Sequence, residues 1–328
     1  MEAKLIYLKE KLEGFPRKPL SLTPTPCHRL DYLSNTYQAE VYCKRDDMTG
    51  FGFGGNKSRK LEFLIGEALS KGCDTLVTSG GIQSNFCRLT AAAGSVAGME
   101  VHLILGGGIE TEPTGNVLLD EMLGAKIYYV SSTDWDDWEN ESKRVTAKLV
   151  EEGRKVFRMP IGGSVPIGAA GYVNVFLEIM NDQNELGVAF DHIIHATSSG
   201  GTQAGLVVGK AMTDWPGRIS GIAVTADKQS LEKTALDLSI QTAGLLGGQV
   251  DPESIIVDDR YIGDGYALRT SGAERAIEIF ARREGIFLDH VYTGKAASAL
   301  MDWLEKGKLK NQRVLFLHTG GQVELFAN

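Results

Sequence analysis

The stretch His192–Met212, HIIHATSSGGTQAGLVVGKAM, decides how the chain is read. His192–Ala196 is a short apolar run rich in isoleucine, which predicts a strand. Thr202–Met212 predicts a helix. Between them lie two serines and two glycines, so the stretch is a strand, a glycine loop and a helix in sequence. In an open α/β sheet, ligands sit where strands end and helices begin.

The same rhythm extends on both sides. Strands are predicted at Ala39–Arg45, Thr75–Thr78, Val101–Leu105 and Ile127–Val130, and later at Ile219–Thr225, Ile255–Val257, Ile286–Leu288 and Val314–Leu317. Helices are predicted at Ser58–Lys71, Asn85–Ala97, Asn116–Leu123 and Trp135–Glu152. Others follow at Ile167–Asn184, Ser230–Leu245, Thr270–Glu284 and Gly294–Lys306. Repeated β–α alternation predicts parallel sheets with helices on both faces. The expected class is α/β, with two domains that are each an open, mostly parallel twisted sheet. The Gly- and Pro-rich loop Pro160–Gly171 marks a boundary. Residues 1–52 with 162–328 form the expected large domain, and residues 53–161 the small one.

Composition narrows the function classes. The chain has 328 residues, a formal net charge of −8 and a pI of about 5.4. An acidic chain without a basic patch does not suit a general binder of nucleic acid or anionic membranes. No apolar run approaches the roughly 18 residues of a membrane span. The charged N-terminal stretch lacks the apolar core of a signal peptide. Cys27, Cys43, Cys73 and Cys87 show no paired spacing, which suits free thiols in a reducing cytoplasm. Six histidines show no metal-ligand spacing, so no metal is expected. His192 and His195 are three apart on a strand and should face opposite sides. The run Asp134–Glu141 reads as an acidic helix start, and Cys87 as a small buried side chain.

Glycine is in excess: 39 residues, against a usual share of roughly 7 %. It clusters at Gly50–Gly55, Gly80–Gly81, Gly106–Gly108, Gly162–Gly163, Gly200–Gly201, Gly247–Gly248 and Gly320–Gly321. Several clusters follow a strand and precede a helix, where backbone N–H groups can approach a phosphate. Ala196–Gly205 is the best such cradle. It lacks the Lys-Ser/Thr pair of a Walker loop and the G-x-G-x-x-G dinucleotide spacing, so a small phosphorylated cofactor fits better.

A second site is Gly54-Gly55-Asn56-Lys57-Ser58-Arg59-Lys60. Cations at a helix N-terminus oppose the dipole, so three there point to a bound anion or a chemical task. A lysine whose pKa is lowered by burial and by the neighbouring Arg59 and Lys60 is a competent nucleophile toward a carbonyl.

GFGGNKSRKLEFL (52–64), SGGIQSN (79–85), TSSGGTQAG (197–205), VYTGKA (291–296) and FLHTGG (316–321) occur in order at family spacing. Together they resemble the 1-aminocyclopropane-1-carboxylate deaminase and D-cysteine desulfhydrase family of pyridoxal-phosphate enzymes, which have the tryptophan-synthase-β-like fold. The resemblance runs from about Phe15 to the C-terminus. It implies pyridoxal 5'-phosphate, a small amino-acid substrate and a homodimer. It matches Lys57 to the lysine that binds the cofactor covalently and Lys60 to a lysine near its phosphate. Ser199, Gly200, Gly201 and Thr202 match the phosphate loop. Asn85 matches the asparagine beside the 3-oxygen, and Ser84 the serine near the substrate carboxylate. Tyr292 matches the tyrosine near the ring, and Tyr266 a second active-site tyrosine.

Two positions bear on the reaction. Deaminases of the cyclopropane substrate carry glutamate and leucine where this chain has Thr293 and Thr319, and the desulfhydrase branch carries threonines. A neutral hydroxyl at the pyridine nitrogen gives a weaker electron sink than a carboxylate, enough for β-elimination of a good leaving group. The expected activity is therefore D-cysteine desulfhydration to pyruvate, hydrogen sulfide and ammonia. The deaminase, an L-cysteate sulfo-lyase and a non-catalytic cofactor binder are the alternatives. The chain departs from the family pattern at Phe86-Cys87 and at Arg269. An apolar ring at Phe86 is expected to reshape the substrate side of the pocket.

Overall fold

The computed structural model describes residues 2–108 and 112–327. The N-terminal part runs α1 (Glu2–Glu13), β1 (Cys27–Arg29), α2 (Asp31–Thr36), β2 (Glu40–Arg45) and α3 (Lys57–Ser70). Then come β3 (Thr75–Gly81), α4 (Asn85–Ala97), β4 (Glu100–Gly106), α5 (Gly115–Met122), β5 (Lys126–Val130), α6 (Trp135–Glu151) and β6 (Val156–Arg158). The rest comprises α7 (Pro166–Leu186), β7 (His192–Thr197), α8 (Gly201–Thr213), β8 (Arg218–Ala223), α9 (Lys228–Leu246), β9 (Val257–Asp258), α10 (Ser271–Ile279), α11 (Thr293–Glu305) and β10 (Arg313–His318).

Two sheets result. One has the order β1-β2-β10-β7-β8-β9 and the other β5-β4-β3-β6. Every pairing is parallel except β1 against β2. The α/β class expected from the alternation is the observed one.

Burial on both faces explains why the strands read as continuous apolar runs. In β7, Ile194 packs with α11 residues such as Leu300, while Ile193 packs with Phe176 of α7 and Leu206 of α8. In the smaller sheet, Leu103 faces Leu64 and Leu89, and Ile104 faces Trp138 and Val145. Helix α3 serves both halves. Its Leu61, Leu64 and Ile65 join the smaller sheet's cluster, and its Phe63 packs with Leu8, Val173 and Val208.

Three differences from the sequence expectation have physical causes. Ile286–Leu288 is no strand: Ile286 and Leu288 are buried in the core, but the segment has no ladder partner. The last predicted strand before it shifts to Val257–Asp258. Helices α1 and α2 and strands β1 and β6 were not anticipated. The first helix buries little beyond Leu8 and Leu12, α2 is six residues long, and each of the two strands is three residues long.

Candidate active site

The cleft lies where β3, β7 and β10 end and where α3, α4 and α8 begin. The turn before α3 needs glycine. Gly54 has φ 75°, and a Cβ there would lie 2.0 Å from the Asp47 carbonyl oxygen. That turn delivers Lys57 as the first residue of α3, half-buried on the cleft wall. No hydrogen bond or ion pair holds its ammonium among the described residues. Burial lowers its pKa from 10.5 to about 8.

This corrects the expected cause. Arg59 does not face Lys57; its guanidinium reaches Asp46 at 2.6 Å and Glu178 at 2.7 Å. Burial, not a cluster of free cations, favours the amine. Lys60 belongs with Lys57. It is 1 % exposed, and burial followed by the charge of Lys57 holds its pKa well below the usual range.

The loop Ser199–Thr202 is built beside Lys60. Gly200 sits at φ 80° and turns the chain from β7 into α8. A Cβ on Gly201 would lie 2.6 Å from Lys60 Nζ, so the ammonium rests against the first turn of α8. Lys60 Nζ donates to the Gly162 carbonyl at 3.2 Å. A lysine can donate three hydrogen bonds, and a helix N-terminus offers free N–H groups. The place is rich in donors and positive potential, which fits a phosphate. Ser199 Oγ accepts from Ser164 Oγ at 2.7 Å, and Thr202 Oγ1 accepts from Asn56 Nδ2 at 3.0 Å. Each hydroxyl keeps its own proton for an incoming anion.

The opposite wall comes from the start of α4. Ser84 caps the helix, its Oγ accepting from the Cys87 N–H at 3.2 Å. Asn85 Oδ1 accepts from Arg88 Nη1 at 2.9 Å and Asn116 Nδ2 at 3.4 Å. The Asn85 group left for a ligand is its amide, a donor, which suits a ring oxygen. Arg88 Nη2 also donates to the Gly54 carbonyl at 2.9 Å, tying this wall to the Lys57 turn.

Tyr266 and Tyr292 line the cleft with hydroxyls 2.7 Å apart, and burial raises the pKa of both. Thr319 lines the cleft and its carbonyl accepts from the Asn56 N–H at 2.9 Å. Thr293 is placed differently from the expectation. It is fully buried outside the cleft lining, its Oγ1 donating to Asp289 at 2.5 Å. Its hydroxyl is therefore turned to Asp289 and does not line the cleft. Phe86 lines the cleft, as expected of an apolar ring there, and its ring edge lies beside Gly163. Cys87 is buried, as expected.

Sequence reasoning missed Asn56, Arg88, Trp135 and Trp138. The two tryptophans line the cleft from the start of α6. Trp135 meets the Tyr266 ring edge-on at 6.4 Å, and Trp138 occupies the space where a side chain on Gly106 would stand. Their three-residue spacing after a strand was the available signal. Gly106 thus gains a role. Gly247 ends α9 at φ 75° and Gly248 makes room for Met212, so both are packing positions.

Comparison with known proteins follows from this geometry. Residues 19–320 match the family described as pyridoxal-phosphate dependent enzyme. The chain is 38 % identical over 310 residues to a putative 1-aminocyclopropane-1-carboxylate deaminase of Pyrococcus furiosus, covering 94 % of this chain and 93 % of the relative. It is 37 % identical over 326 residues to a D-cysteine desulfhydrase of Yersinia enterocolitica, covering 98 % of each. A solved structure of an ACC deaminase homologue superposes with a TM-score of 0.91 at 38 % identity, over 98 % of this chain and 96 % of that one. A cleft with an anion cradle and a free lysine amine, in a chain with these relatives, leads to one conclusion: the protein belongs to the pyridoxal-phosphate dependent enzymes, in the family of ACC deaminase and D-cysteine desulfhydrase.

Proposed function

We propose that the protein is a D-cysteine desulfhydrase, converting D-cysteine and water to pyruvate, hydrogen sulfide and ammonia. The residues present fit the cofactor. Lys60, its buried ammonium bonded to one carbonyl, together with Ser199–Thr202, holds the phosphate. Lys57 carries the amine that attaches the group, and the Asn85 amide meets its ring oxygen. Pyridoxal phosphate, when bound, supplies an electron sink for the substrate's α-carbon.

The protein supplies the rest. Lys57 Nζ, as free amine, accepts the α-proton. The Ser84 hydroxyl and the free N–H groups opening α4 orient the carboxylate. Tyr266 and Tyr292, kept protonated by burial, stand as neutral acids beside the departing sulfur. The Cβ–S bond breaks, and sulfur leaves with its electron pair and gains a proton.

The observation that carries the choice of reaction is the lining itself: two lysines and several hydroxyls, with no carboxylate among the described residues. Nothing there keeps a ring nitrogen protonated as a carboxylate would. Such a site suits expulsion of hydrosulfide and not opening of a carbon ring. We assign residues 1–52 with 162–328, and 53–161, as the two domains beside the cleft. A cytoplasmic homodimer completes the proposal. The dimer rests on the family resemblance, and the compartment is supported by four free cysteines. No described helix is long and apolar enough to cross a membrane.

The test is product release by purified holoenzyme from D-cysteine, L-cysteate and 1-aminocyclopropane-1-carboxylate in parallel. Sulfide and pyruvate from D-cysteine are expected. A 2-oxo acid from the cyclopropane acid, or sulfite from L-cysteate, with no sulfide from D-cysteine overturns the assignment. No release from any of them favours a non-catalytic binder.

A further inference from the structure

The chain between β9 and α10, residues 259–270, forms neither helix nor strand, yet it delivers Tyr266 to the cleft. Its backbone turns hardest around that residue. Gly265 has φ 154° and Ala267 φ 60°, the second a conformation that alanine does not favour unaided. Residues 263, 264 and 267–269 are exposed, so little packing holds the turn.

Lys295 supplies the hold. It is fully buried in the first turn of α11 and lies outside the cleft lining. Its Nζ donates to the Ile262 carbonyl at 2.7 Å and to the Gly265 carbonyl at 2.9 Å. Gly265 is the residue before Tyr266. Among the described residues, the stretch 262–269 makes one further hydrogen bond beyond its own loop, from the Tyr266 hydroxyl to that of Tyr292. A buried cation in this place is costly. The helix dipole opposes it, and no carboxylate stands within ion-pair distance among the described residues. The two carbonyls are what the ammonium is there to bind, through the strong hydrogen bonds of a charged donor. The same turn of α11 carries Tyr292 as its N-cap, with the Tyr292 N–H donating to Asp289 at 2.6 Å. One helix start thus sets both hydroxyls, that of Tyr292 directly and that of Tyr266 through Lys295.

We propose that Lys295 is a positioning residue, which fixes the Tyr266 hydroxyl beside Tyr292 by clamping the loop 259–270. This rests on the role given to Tyr266 in the proposed function. The clamp itself is a property of the loop, so the two can fail separately.

Lys295→Met keeps the length of the side chain and removes every donor. In the holoenzyme, kcat for sulfide release from D-cysteine should fall about tenfold or more, with KM within about twofold and the cofactor absorbance unchanged. Tyr266→Phe should lower kcat at least as much. Adding Lys295→Met to it should cost less than about twofold more, because the hydroxyl being positioned is already gone. Trypsin cleavage after Arg269, an exposed residue of the loop, should quicken about tenfold or more, while cleavage elsewhere and the melting temperature hold. Losses that multiply in the double variant, or cleavage that quickens along the whole chain, reduce Lys295 to a structural residue and overturn the proposal. Unchanged cleavage after Arg269 overturns it too. If the parent releases no sulfide from D-cysteine, the proposed activity fails, and the trypsin comparison still decides the clamp. If Lys295→Met does not fold, Lys295→Gln, which lacks the charge, replaces it in every comparison.

Discussion

Lys57, Arg59 and Lys60 share the first turn of α3, yet their surroundings are opposite in kind. Arg59 enters a network of carboxylates. Its guanidinium bonds Asp46 and Glu178, Tyr172 donates to Asp46 at 2.6 Å, and Lys44 bridges Glu178 and Asp182 at 2.7 and 2.6 Å. Burial works against these charges, but the bonds and charges outweigh it: Arg59 and Lys44 rise, and Glu178 falls to about 2. Asp182 rises because burial outweighs the pull of Lys44. Lys57 and Lys60 have no carboxylate partner, and both fall. Buried charges paired with opposite charges hold structure together, whereas buried cations without a carboxylate mark the place where a ligand supplies the missing charge.

This contrast can be broken experimentally. On the proposed function Lys57→Ala removes the covalent attachment point and the base, so turnover should drop at least about 10³-fold. Borohydride should then fix no cofactor on the chain, while the melting temperature hardly moves. Fixation at another lysine would show that Lys57 is not the attachment site. Arg59→Met should do the reverse. It strands Asp46 and Glu178 and should cost roughly 3–5 kcal/mol in urea denaturation, while the folded fraction keeps its activity. Full stability with lost turnover would place Arg59 in the chemistry instead.

Lys60→Met sits between these extremes. Cofactor affinity should fall about 10- to 100-fold in an absorbance titration, the loss of a charged hydrogen bond or two. The cofactor-free protein should gain about 1 kcal/mol, since a buried and poorly paired ammonium is removed. A destabilised apoprotein would mean that Lys60 is structural, like Arg59.

The smallest effect is in pH. With a pKa of about 8, Lys57 is about one-tenth amine at pH 7 and about nine-tenths at pH 9. Covalent attachment of cofactor to the apoprotein should speed up nearly tenfold across that range. The unfolded chain, titrating at its ordinary 10.5, binds more protons between pH 8 and 10.5, so apoprotein stability should rise with pH in that window. An attachment profile inflecting above pH 10 would show that burial does not perturb Lys57.

The parts of the molecule legible in the sequence were those with local signatures. Strand β10 carries the apolar run Val314–Leu317 and β7 the pair Ile193–Ile194 because both faces are covered, and glycines follow where each ends. Lys57 stood out because a basic first turn conflicts with the helix dipole. The same signal misled about Arg59, since its carboxylates come from residues 46 and 178, and no local pattern reveals which lysine or arginine finds an acid across the fold. Thr293 differs from the expectation for a related reason. Position in a motif fixes the backbone, but the bond from its hydroxyl to Asp289 is set by packing. Trp135 and Trp138 were hidden by the acidic residues around them.

The helices that carry the two anchoring sites meet backbone to backbone. A Cβ on Gly171 of α7 would lie 2.3 Å from the Arg59 carbonyl of α3, and one on Gly205 of α8 would lie 2.3 Å from the Ala169 carbonyl of α7. The spacing between the lysine turn and the phosphate loop is thus fixed by atoms that are absent. Scanning by truncation to alanine, which works by deleting atoms, would find these positions only because alanine is here the larger residue. Where the chain's glycines are concerned, the informative experiment is addition.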